Sequence, residues 1–340
     1  MKVKTLIGLA ASGQLPLLAA LRGTFQNAYR AAFVTAGISE GLFNLLRAGP
    51  ASLDQIHAHM VGRNAAAYSL EKLRAWLEVG VTLGELKSTP AGYTLRGRLA
   101  RQFARESNDA LAAMFLEVFT LHHDLLLQTP ARLRSGEFLA LGDTDGQLIA
   151  RSSRILEPYI LDVVDDATPP AGPLSVLEVG CGSGVYVRQI CRRNPQARVV
   201  GLELQPEVAA FARRNLQSWG LADRTQVETA DVRAFAPAER FDLVTLHNNI
   251  YYFPVAERLD LLRRLSGFLK PGGRLLVTTG CAGYPATMLL NLWGEMTAGA
   301  GPLPEAREFT GVMRQAGFNP VRAAELLPGG GFYAFTGVKA

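Results

Sequence analysis

Residues 176–184 read VLEVGCGSG, an apolar run that leads into three glycines separated by single residues. The apolar run is typical of a buried strand, and the residues that follow, VYVRQICRRN at 185–194, have the pattern of a helix. Glycine allows a backbone to turn sharply and to approach a ligand closely. The stretch therefore predicts a strand, a ligand-binding turn and a helix in direct succession.

Strand and helix patterns alternate from this turn to the C-terminus. After LSVLEVG come the strand patterns RVVGLEL, RTQVETADV, FDLVTLH and GRLLVTTG. Such alternation predicts an α/β fold with a doubly wound, Rossmann-like parallel sheet. Two further strand patterns, PVRAAELL and FYAFTGVKA, are joined by three glycines at 329–331, and so short a turn requires an antiparallel pair. The prediction is a seven-stranded sheet whose last strand is antiparallel.

The glycine turn does not fit a dinucleotide. The pattern G-x-G-x-x-G would place its third glycine at Val185, whereas Gly184 comes one residue too early. Acidic residues stand at the strand ends instead: Glu178 before the turn, Glu203 at the end of the second strand and Asp231 after the third. These carboxylates, without a basic phosphate anchor, favour a ligand that has a sugar, an adenine and a charged amino-acid end.

The segments VLEVGCGSG, GLEL, ADV, FDLVTLH and LKPGGRLLV resemble, in order and spacing, the motifs of class I S-adenosylmethionine-dependent methyltransferases. The resemblance extends from Leu174 to the C-terminus, about half of the chain. It implies a methyltransferase with S-adenosyl-L-methionine as the cofactor. The residues that it places at the cofactor are Glu178, Gly180, Gly182, Gly184, Glu203, Leu204, Asp231, Val232 and His247.

Each group of these residues has an implied role. The resemblance implies that the three glycines pass under the methionine moiety of the cofactor. It implies further that Glu203 binds the ribose hydroxyls and that Asp231 binds the adenine amino group.

The N-terminal half has a different pattern. Residues 25–160 are mostly helical, and three helix patterns precede two short extended pieces around Pro90-Ala91-Gly92, which is the order of a winged helix. This half looks like the dimerisation region of small-molecule O-methyltransferases. We therefore expect a helical, winged-helix-like domain at 1–164 that forms a homodimer and covers the acceptor. A linker at 165–173 and the catalytic domain at 174–340 follow.

A winged helix also raises the alternative of a DNA-binding regulator that senses S-adenosylmethionine. A DNA reader needs a basic recognition helix, but the candidate at 65–78 carries Lys72 and Arg74 against Glu71 and Glu78. We therefore expect no nucleic-acid partner.

The fourth strand of the O-methyltransferase family commonly ends in Leu-His-Asp-Trp, and its histidine is the general base. Here the sequence is Leu246-His247-Asn248-Asn249, so the resemblance implies that His247 accepts the proton of the acceptor hydroxyl. A neutral imidazole, with an ordinary pKa near ~6.5, can do so at neutral pH. Tyr251 is the second catalytic candidate. The residues predicted to contact the acceptor are Asn248, Asn249, Tyr251, Tyr252, Arg151 and His123.

Three reactions stay open at this stage. O-methylation would use His247 as a base. S-methylation of a thioether acid needs no base, and aromatic faces could favour the sulfonium product. C-methylation of a 2-oxo acid would need a base or a metal, and a second metal ligand would have to come from His122, His123 or an acid; we nevertheless predict no metal site. A carboxylate acceptor would favour an arginine anchor, for which Arg151 and Arg154 are candidates.

Composition sets the remaining expectations. The 340 residues are 48% hydrophobic and 19% charged, as in soluble globular proteins, and the net charge of +5 does not call for nucleic acid. Three cysteines without metal-ligand spacing favour a reducing, cytoplasmic compartment. Gln14 and Pro16 interrupt the apolar N-terminus, and we expect no run of about 20 apolar residues that could span a membrane.

Overall fold

The computed structural model describes residues 3–63, 69–143 and 145–340. Part of the predicted recognition helix, residues 65–68, lies outside these ranges. By packing, the chain divides into a first unit, Met1–Asp124 with Gly146–Ile155, and a second unit, Leu125–Asp145 with Leu156–Ala340.

The first unit is helical with one small sheet. Its elements, in chain order, are α1 Val3–Ala11, α2 Gln14–Ser39, α3 Leu42–Arg47, α4 Leu53–Arg63, α5 Leu70–Thr82, β1 Leu86–Thr89, β2 Gly92–Leu95, α6 Arg98–Phe103, α7 Asp109–Glu117, the start of α8 His123–Ser135, and α9 Gly146–Ser152. Strands β1 and β2 pair antiparallel, as the turn at Pro90-Ala91-Gly92 predicts. The winged-helix assignment stays a prediction.

The core of the first unit depends on close contacts between aromatic rings and glycines. Phe33 packs its ring 5.0 Å from that of Trp76 and 6.5 Å from that of Phe43. A methyl group added at Gly80 in α5 would lie 2.1 Å from the ring of Phe33. Helix α5 can therefore approach α2 closely because residue 80 has no side chain.

The helical run Glu106–Ser135 is long and apolar on average. It contains α7, a π-helical turn at Val118–His122 and α8, and by length and composition alone it could cross a membrane. The two helices α1 and α2 meet the same criterion only as one span bent by 83°. This criterion concerns the average over an 18-residue window with at most two charged residues, so it differs from the continuous run of about 20 apolar residues that we expected to be absent. Core helices of soluble proteins also meet this criterion, so the finding is weak evidence for a membrane.

The second unit contains the predicted sheet. Its further elements are α10 Glu157–Ala167, β3 Leu174–Val179, α11 Val185–Arg193, β4 Ala197–Glu203, α12 Pro206–Ser218, β5 Thr225–Thr229, β6 Phe241–His247, α13 Val255–Phe268, β7 Leu269–Gly280, α14 Met288–Glu295, α15 Ala306–Gln315, β8 Phe318–Leu327 and β9 Phe332–Lys339. The strand order is β5-β4-β3-β6-β7-β9-β8. Strands β3 to β7 are parallel, and β9 is antiparallel to both of its neighbours, which confirms the predicted fold class.

Two segments that precede the sheet in sequence pack with it. Helix α10 buries Ile160 and Val164 in the same core as Val176 of β3. Leu139 forms a parallel bridge with Thr297, in which Leu139 N donates to the carbonyl oxygen of Met296 at 2.8 Å. The packing division therefore differs from the domain boundaries predicted at 164 and 174, because these contacts join residues far apart in sequence.

The sheet order creates a crevice between β3 and β6. From β3 the chain moves outward to β4 and β5, and it then returns to the other side of β3 to form β6. The loops after β3 and β6 consequently leave in opposite directions at the carboxyl edge of the sheet. In open α/β sheets this is where ligands bind, so the glycine turn and His247 stand at the expected place.

The glycine contact in the first unit can be tested with two equivalent substitutions. We expect Gly80→Ala to lower the free energy of unfolding by about 1–3 kcal/mol, because its methyl group meets the ring of Phe33. The control is Gly23→Ala in α2, where no described atom lies within 4 Å of the added methyl group. It should raise the free energy by about 0.5–1 kcal/mol, since alanine is the better helix former. Urea denaturation measures both, and a stabilising Gly80→Ala would contradict the packing.

Candidate functional site

The turn after β3 is built from three glycines in the left-handed region. The φ angles of Gly180, Gly182 and Gly184 are 71°, 53° and 80°, a conformation that other L-residues rarely adopt. Gly180 N and Cys181 N donate to the same carbonyl oxygen, that of Leu202, at 2.8 and 2.9 Å. A methyl group at Gly182 would meet no described atom within 4 Å. The turn is thus fixed to β4 and leaves space beside Gly182.

Glu203 holds the other side of this turn. Its Oε2 accepts a hydrogen bond from Gly182 N at 3.1 Å, and its Oε1 accepts one from Gln205 N at 3.2 Å. The side chain of the next residue, Leu204, is 58% exposed. The end of β4 therefore presents a fixed carboxylate and an exposed apolar surface next to each other.

Asp231 already has a cationic partner. Arg233 donates to its carboxylate through the backbone N at 2.8 Å and through Nε at 3.0 and 3.1 Å. The hydrogen bond with Arg233 lowers the pKa of Asp231, so the carboxylate is ionised at neutral pH. Arg233 also reaches Glu257 at 3.4 Å. Val232 points into the core.

Glu178 has no such partner. Its side chain is buried, and neither carboxyl oxygen has a hydrogen-bond partner among the described residues. Burial raises the pKa of Glu178 well above its ordinary value, because the charged form is poorly solvated there. Its register partner on β6 is Thr245, whose buried hydroxyl also has no partner among the described residues.

His247 lies on the same side of the sheet as Glu178 and Thr245, and these polar residues are here called the polar face. Its Nδ1 lies 2.9 Å from Thr278 Oγ1, and its ring centre lies 4.7 Å from that of Tyr186. Its Nε2 is buried and has no partner in the described part of the chain. Burial lowers the pKa of His247 to about 3, which keeps the imidazole neutral at physiological pH. Buried polar atoms are almost always paired, so unpaired atoms on one sheet face suggest a site completed by water or a ligand.

Sequence reasoning missed three members of this polar face: Thr245, Thr278 and Tyr186. The signal was present for two of them. Thr245 and His247 are two residues apart on β6, and Thr278 is the register partner of His247 on β7. Polar residues at alternate positions of an otherwise apolar strand share one face. Tyr186 had no such signal, because only the packing of α11 on the sheet brings it to His247.

The residues after β6 form a bend and an aromatic cluster. Asn248 has a φ of 52°, and its N donates to the carbonyl oxygen of Thr278 at 2.8 Å. The rings of Tyr251, Tyr252 and Trp293, here called the aromatic cluster, have centroids 4.9–6.2 Å apart. Trp293 was not predicted, because it belongs to α14, far along the chain. Its buried Nε1 has no partner among the described residues.

The predicted acceptor contacts in the first unit have partners within that unit. Arg151 Nη2 lies 2.5 Å from Asp109 Oδ1, and the hydrogen bond lowers the pKa of Asp109. His123 is about half exposed, and its Nδ1 lies 3.7 Å from Asp124 Oδ1. Both roles at a binding site stay predictions.

The adjacent His122 differs from His123. It is mostly buried, and its Nε2 lies 3.5 Å from Glu117 Oε1. Among the described residues, no group of three or more His, Cys, Asp or Glu side chains is arranged to hold a metal ion.

The family model of the methyltransferase domain matches residues 176–273. The match lies wholly within the second unit. Curated relatives of this domain include trans-aconitate 2-methyltransferase of Streptomyces avermitilis, 32% identical over 106 residues that make up 31% of this chain and 39% of the relative. Ubiquinone biosynthesis O-methyltransferase of Xanthomonas axonopodis pv. citri is 31% identical over 137 residues, 40% of this chain and 54% of the relative. The chain thus matches about half or less of the length of these relatives.

Solved structures similar to the whole chain share its fold. Mitomycin 7-O-methyltransferase MmcR superposes with a TM-score of 0.78 at 19% identity, covering 97% of this chain and all of MmcR. PigF, solved with SAH, gives 0.73 at 21% identity, with 96% and 99% covered. Human N-acetylserotonin methyltransferase, solved with SAM, gives 0.71 at 17% identity, with 95% and 98% covered. Each superposition covers at least 95% of this chain, so the whole chain, including its N-terminal helical region, has the fold of these structures.

The buried carboxyl of Glu178 predicts a pH dependence of stability. In the unfolded chain it titrates near 4.5, whereas in the folded chain burial raises its pKa. The contribution of this carboxyl to the free energy of unfolding is therefore fully present below pH 4.5, and it is lost as the pH rises towards the raised pKa of the folded state. Glutamine has a similar shape but does not titrate, so Glu178→Gln should not show this loss of stability. Between the unfolded and folded pKa values the loss amounts to about 1.4 kcal/mol for each pH unit. Without added ligand, wild type should lose stability relative to Glu178→Gln as the pH rises above about 5.

Urea denaturation at each pH measures this difference. The control is Glu239→Gln, an exposed carboxylate in the same unit, whose pH profile should run parallel to that of wild type. Parallel profiles for wild type and Glu178→Gln would show that the Glu178 carboxyl titrates normally.

Proposed function

We propose that this chain transfers a methyl group from S-adenosyl-L-methionine to a small-molecule acceptor. The observation that carries the proposal is the left-handed glycine turn of the methyltransferase domain, open at Gly182 and held by the carboxylate of Glu203. The similarity of the fold to PigF, solved with SAH, and to human N-acetylserotonin methyltransferase, solved with SAM, supports the same ligand.

The residues present fit this cofactor. Each oxygen of Glu203 accepts one hydrogen bond, and an ionised carboxylate offers about four acceptor positions, so capacity remains for two ribose hydroxyls. Exposed Leu204 offers an apolar surface to the flat adenine. The ionised carboxylate of Asp231 can accept a hydrogen bond from the adenine amino group. The unpaired carboxyl of Glu178 supplies a polar contact for the amino-acid end.

The protein's part in the reaction is alignment and proton removal. The bound cofactor supplies a methyl carbon made electrophilic by the adjacent sulfonium. The chain must hold the acceptor atom in line with that carbon and exclude water, and for a hydroxyl acceptor it must also take up the proton. Nε2 of His247 is suited to the last task, because it has no partner among the described residues.

The state of His247 favours O-methylation. If Thr278 accepts a hydrogen bond from Nδ1, the lone pair of the ring lies on Nε2, where a base needs it. The lowered pKa of His247 keeps this lone pair free at neutral pH, but it also makes the imidazole a weak base. We therefore infer that the acceptor has an acidic hydroxyl, phenolic or enolic, whose proton such a base can take.

S-methylation is the second candidate. The aromatic cluster of Tyr251, Tyr252 and Trp293 follows β6, and π faces favour a sulfonium. In that reaction Tyr251 would act through its ring, and no base would be needed.

Metal-dependent C-methylation and a regulatory role have less support. The described residues contain no suitable donor set for the metal that C-methylation would use. No observation favours a regulator that senses S-adenosylmethionine. For a carboxylate acceptor, Arg151 as the anchor would have to leave or share Asp109.

We further propose a cytoplasmic homodimer that associates through the first unit. Helices α1 and α2 expose large apolar side chains that a partner subunit could cover: Val3, Ile7, Leu17, Leu18, Phe25 and Tyr29. All three cysteines are free and buried, as suits a reducing compartment. Sedimentation equilibrium of the chain measures the mass, and a monomer at micromolar concentration would contradict the dimer.

Cofactor binding can be tested by calorimetry. We expect wild type to bind S-adenosylmethionine and Glu203→Ala to bind it about 10- to 100-fold more weakly, because charge-assisted hydrogen bonds to the ribose are lost. The control is Glu207→Ala, an exposed carboxylate in the first turn of α12, which should leave the affinity unchanged. Wild type that does not bind S-adenosylmethionine would overturn the proposed function.

The role of His247 separates the two candidate reactions. With phenolic acceptors we expect His247→Gln to lower kcat by about 10²- to 10⁴-fold, the usual contribution of a general base. Thr278→Val, which removes only the hydrogen bond to Nδ1, should lower kcat less. Methyl transfer to a thioether acid that is equally fast in wild type and His247→Gln would instead support S-methylation.

A further inference from the structure

The backbone reverses direction directly after β6. Asn248 adopts a left-handed conformation with a φ of 52°, which asparagine tolerates better than most residues. Its N donates to the carbonyl oxygen of Thr278 on the adjacent β7, which fixes the bend. The side chain of the next residue, Asn249, is thereby directed back towards the turn after β3.

The amide of Asn249 meets three backbone carbonyls. Its Nδ2 lies 2.9 Å from the carbonyl oxygen of His247, 3.3 Å from that of Val179 and 3.5 Å from that of Gly180. The NH₂ group has two donor hydrogens, so it is shared among these acceptors. One side chain thus connects the end of β6 to the end of β3 and to the first glycine of the turn.

Gly180 shows how close this contact is. A methyl group at position 180 would lie 2.2 Å from Asn249 Nδ2, well inside contact distance. Residue 180 must therefore be glycine for two reasons: its φ is 71°, and the amide of Asn249 occupies the place of a side chain.

We propose that Asn249 is a positioning residue that holds the glycine turn and His247 at a fixed separation. This inference rests on the proposed function, in which the turn carries the cofactor and His247 faces the acceptor. Methyl transfer depends on alignment of the reacting groups, so a link between the two strand ends acts directly on it.

Aspartate has nearly the same shape as asparagine, but it cannot donate the hydrogen bonds that Asn249 makes. An ionised aspartate at position 249 only accepts hydrogen bonds, and it would face three carbonyl oxygens that also only accept. We expect Asn249→Asp to separate the turn from the end of β6. Both the affinity for S-adenosylmethionine and kcat should then fall, by about 5- to 100-fold each, as expected when a buried hydrogen bond is lost.

A matched control uses the same substitution at an asparagine that acts as an acceptor. Asn291 Oδ1 accepts a hydrogen bond from Leu303 N at 2.9 Å, and an aspartate can keep that bond. Asn291→Asp should therefore retain the affinity and kcat of wild type. If Asn249→Asp also retains them while folded, Asn249 does not position the site.

A double-mutant cycle tests the contact itself without any cofactor. Gly180→Ala should destabilise both wild type and Asn249→Ala, because residue 180 has a left-handed backbone conformation. Its methyl group clashes with the amide only when Asn249 is present. Its loss of stability should therefore be smaller in Asn249→Ala than in wild type, as measured by urea denaturation. Equal losses in both backgrounds would overturn the inference. Wild type that does not bind S-adenosylmethionine would overturn the proposed function, so the two failures are distinguishable.

Discussion

The site depends on one carbonyl oxygen, that of Leu202, which accepts hydrogen bonds from both Gly180 N and Cys181 N. Two adjacent amides can converge on one acceptor only if the backbone curls tightly, and the left-handed glycines allow this. The same curl brings Gly182 N to the carboxylate of Glu203. The end of β3, the turn and the end of β4 thus form one hydrogen-bonded unit, and the packing of α11 begins from it.

The polar face beneath this turn lowers the stability of the fold, because several of its buried polar atoms have no partner among the described residues. Each buried polar atom without a partner costs about 1–3 kcal/mol relative to a paired one. Burial shifts the pKa of Glu178 upward and that of His247 downward, so both groups are displaced towards their neutral forms, in which burial costs less. The two apolar cores on either side of the sheet offset the remainder. Buried polar atoms without partners are typical of functional sites, where residues needed for binding make the fold less stable.

Local sequence patterns predicted much of the second unit. The pattern FDLVTLH coincides with β6 residue for residue, because its apolar run has clear ends. The strand-helix alternation predicted the class of the sheet for the same reason. What sequence could not predict were contacts between distant segments: Tyr186 against His247, Trp293 against Tyr251, and the amide of Asn249 on the glycine turn. The contribution of residues 125–145 to the second unit was missed for that reason too.

The bridge between Leu139 and Thr297 has a consequence for biosynthesis. The two residues are separated by most of the sheet, and Leu139 leaves the ribosome long before its partner exists. At about 5–20 residues per second, the roughly 160 intervening residues take about 8–32 s to synthesise. During that interval the backbone around Leu139 must remain hydrated or be held by a chaperone. The second unit can therefore complete its packing only after α14 has been synthesised, although residues 125–145 of the same unit emerge much earlier.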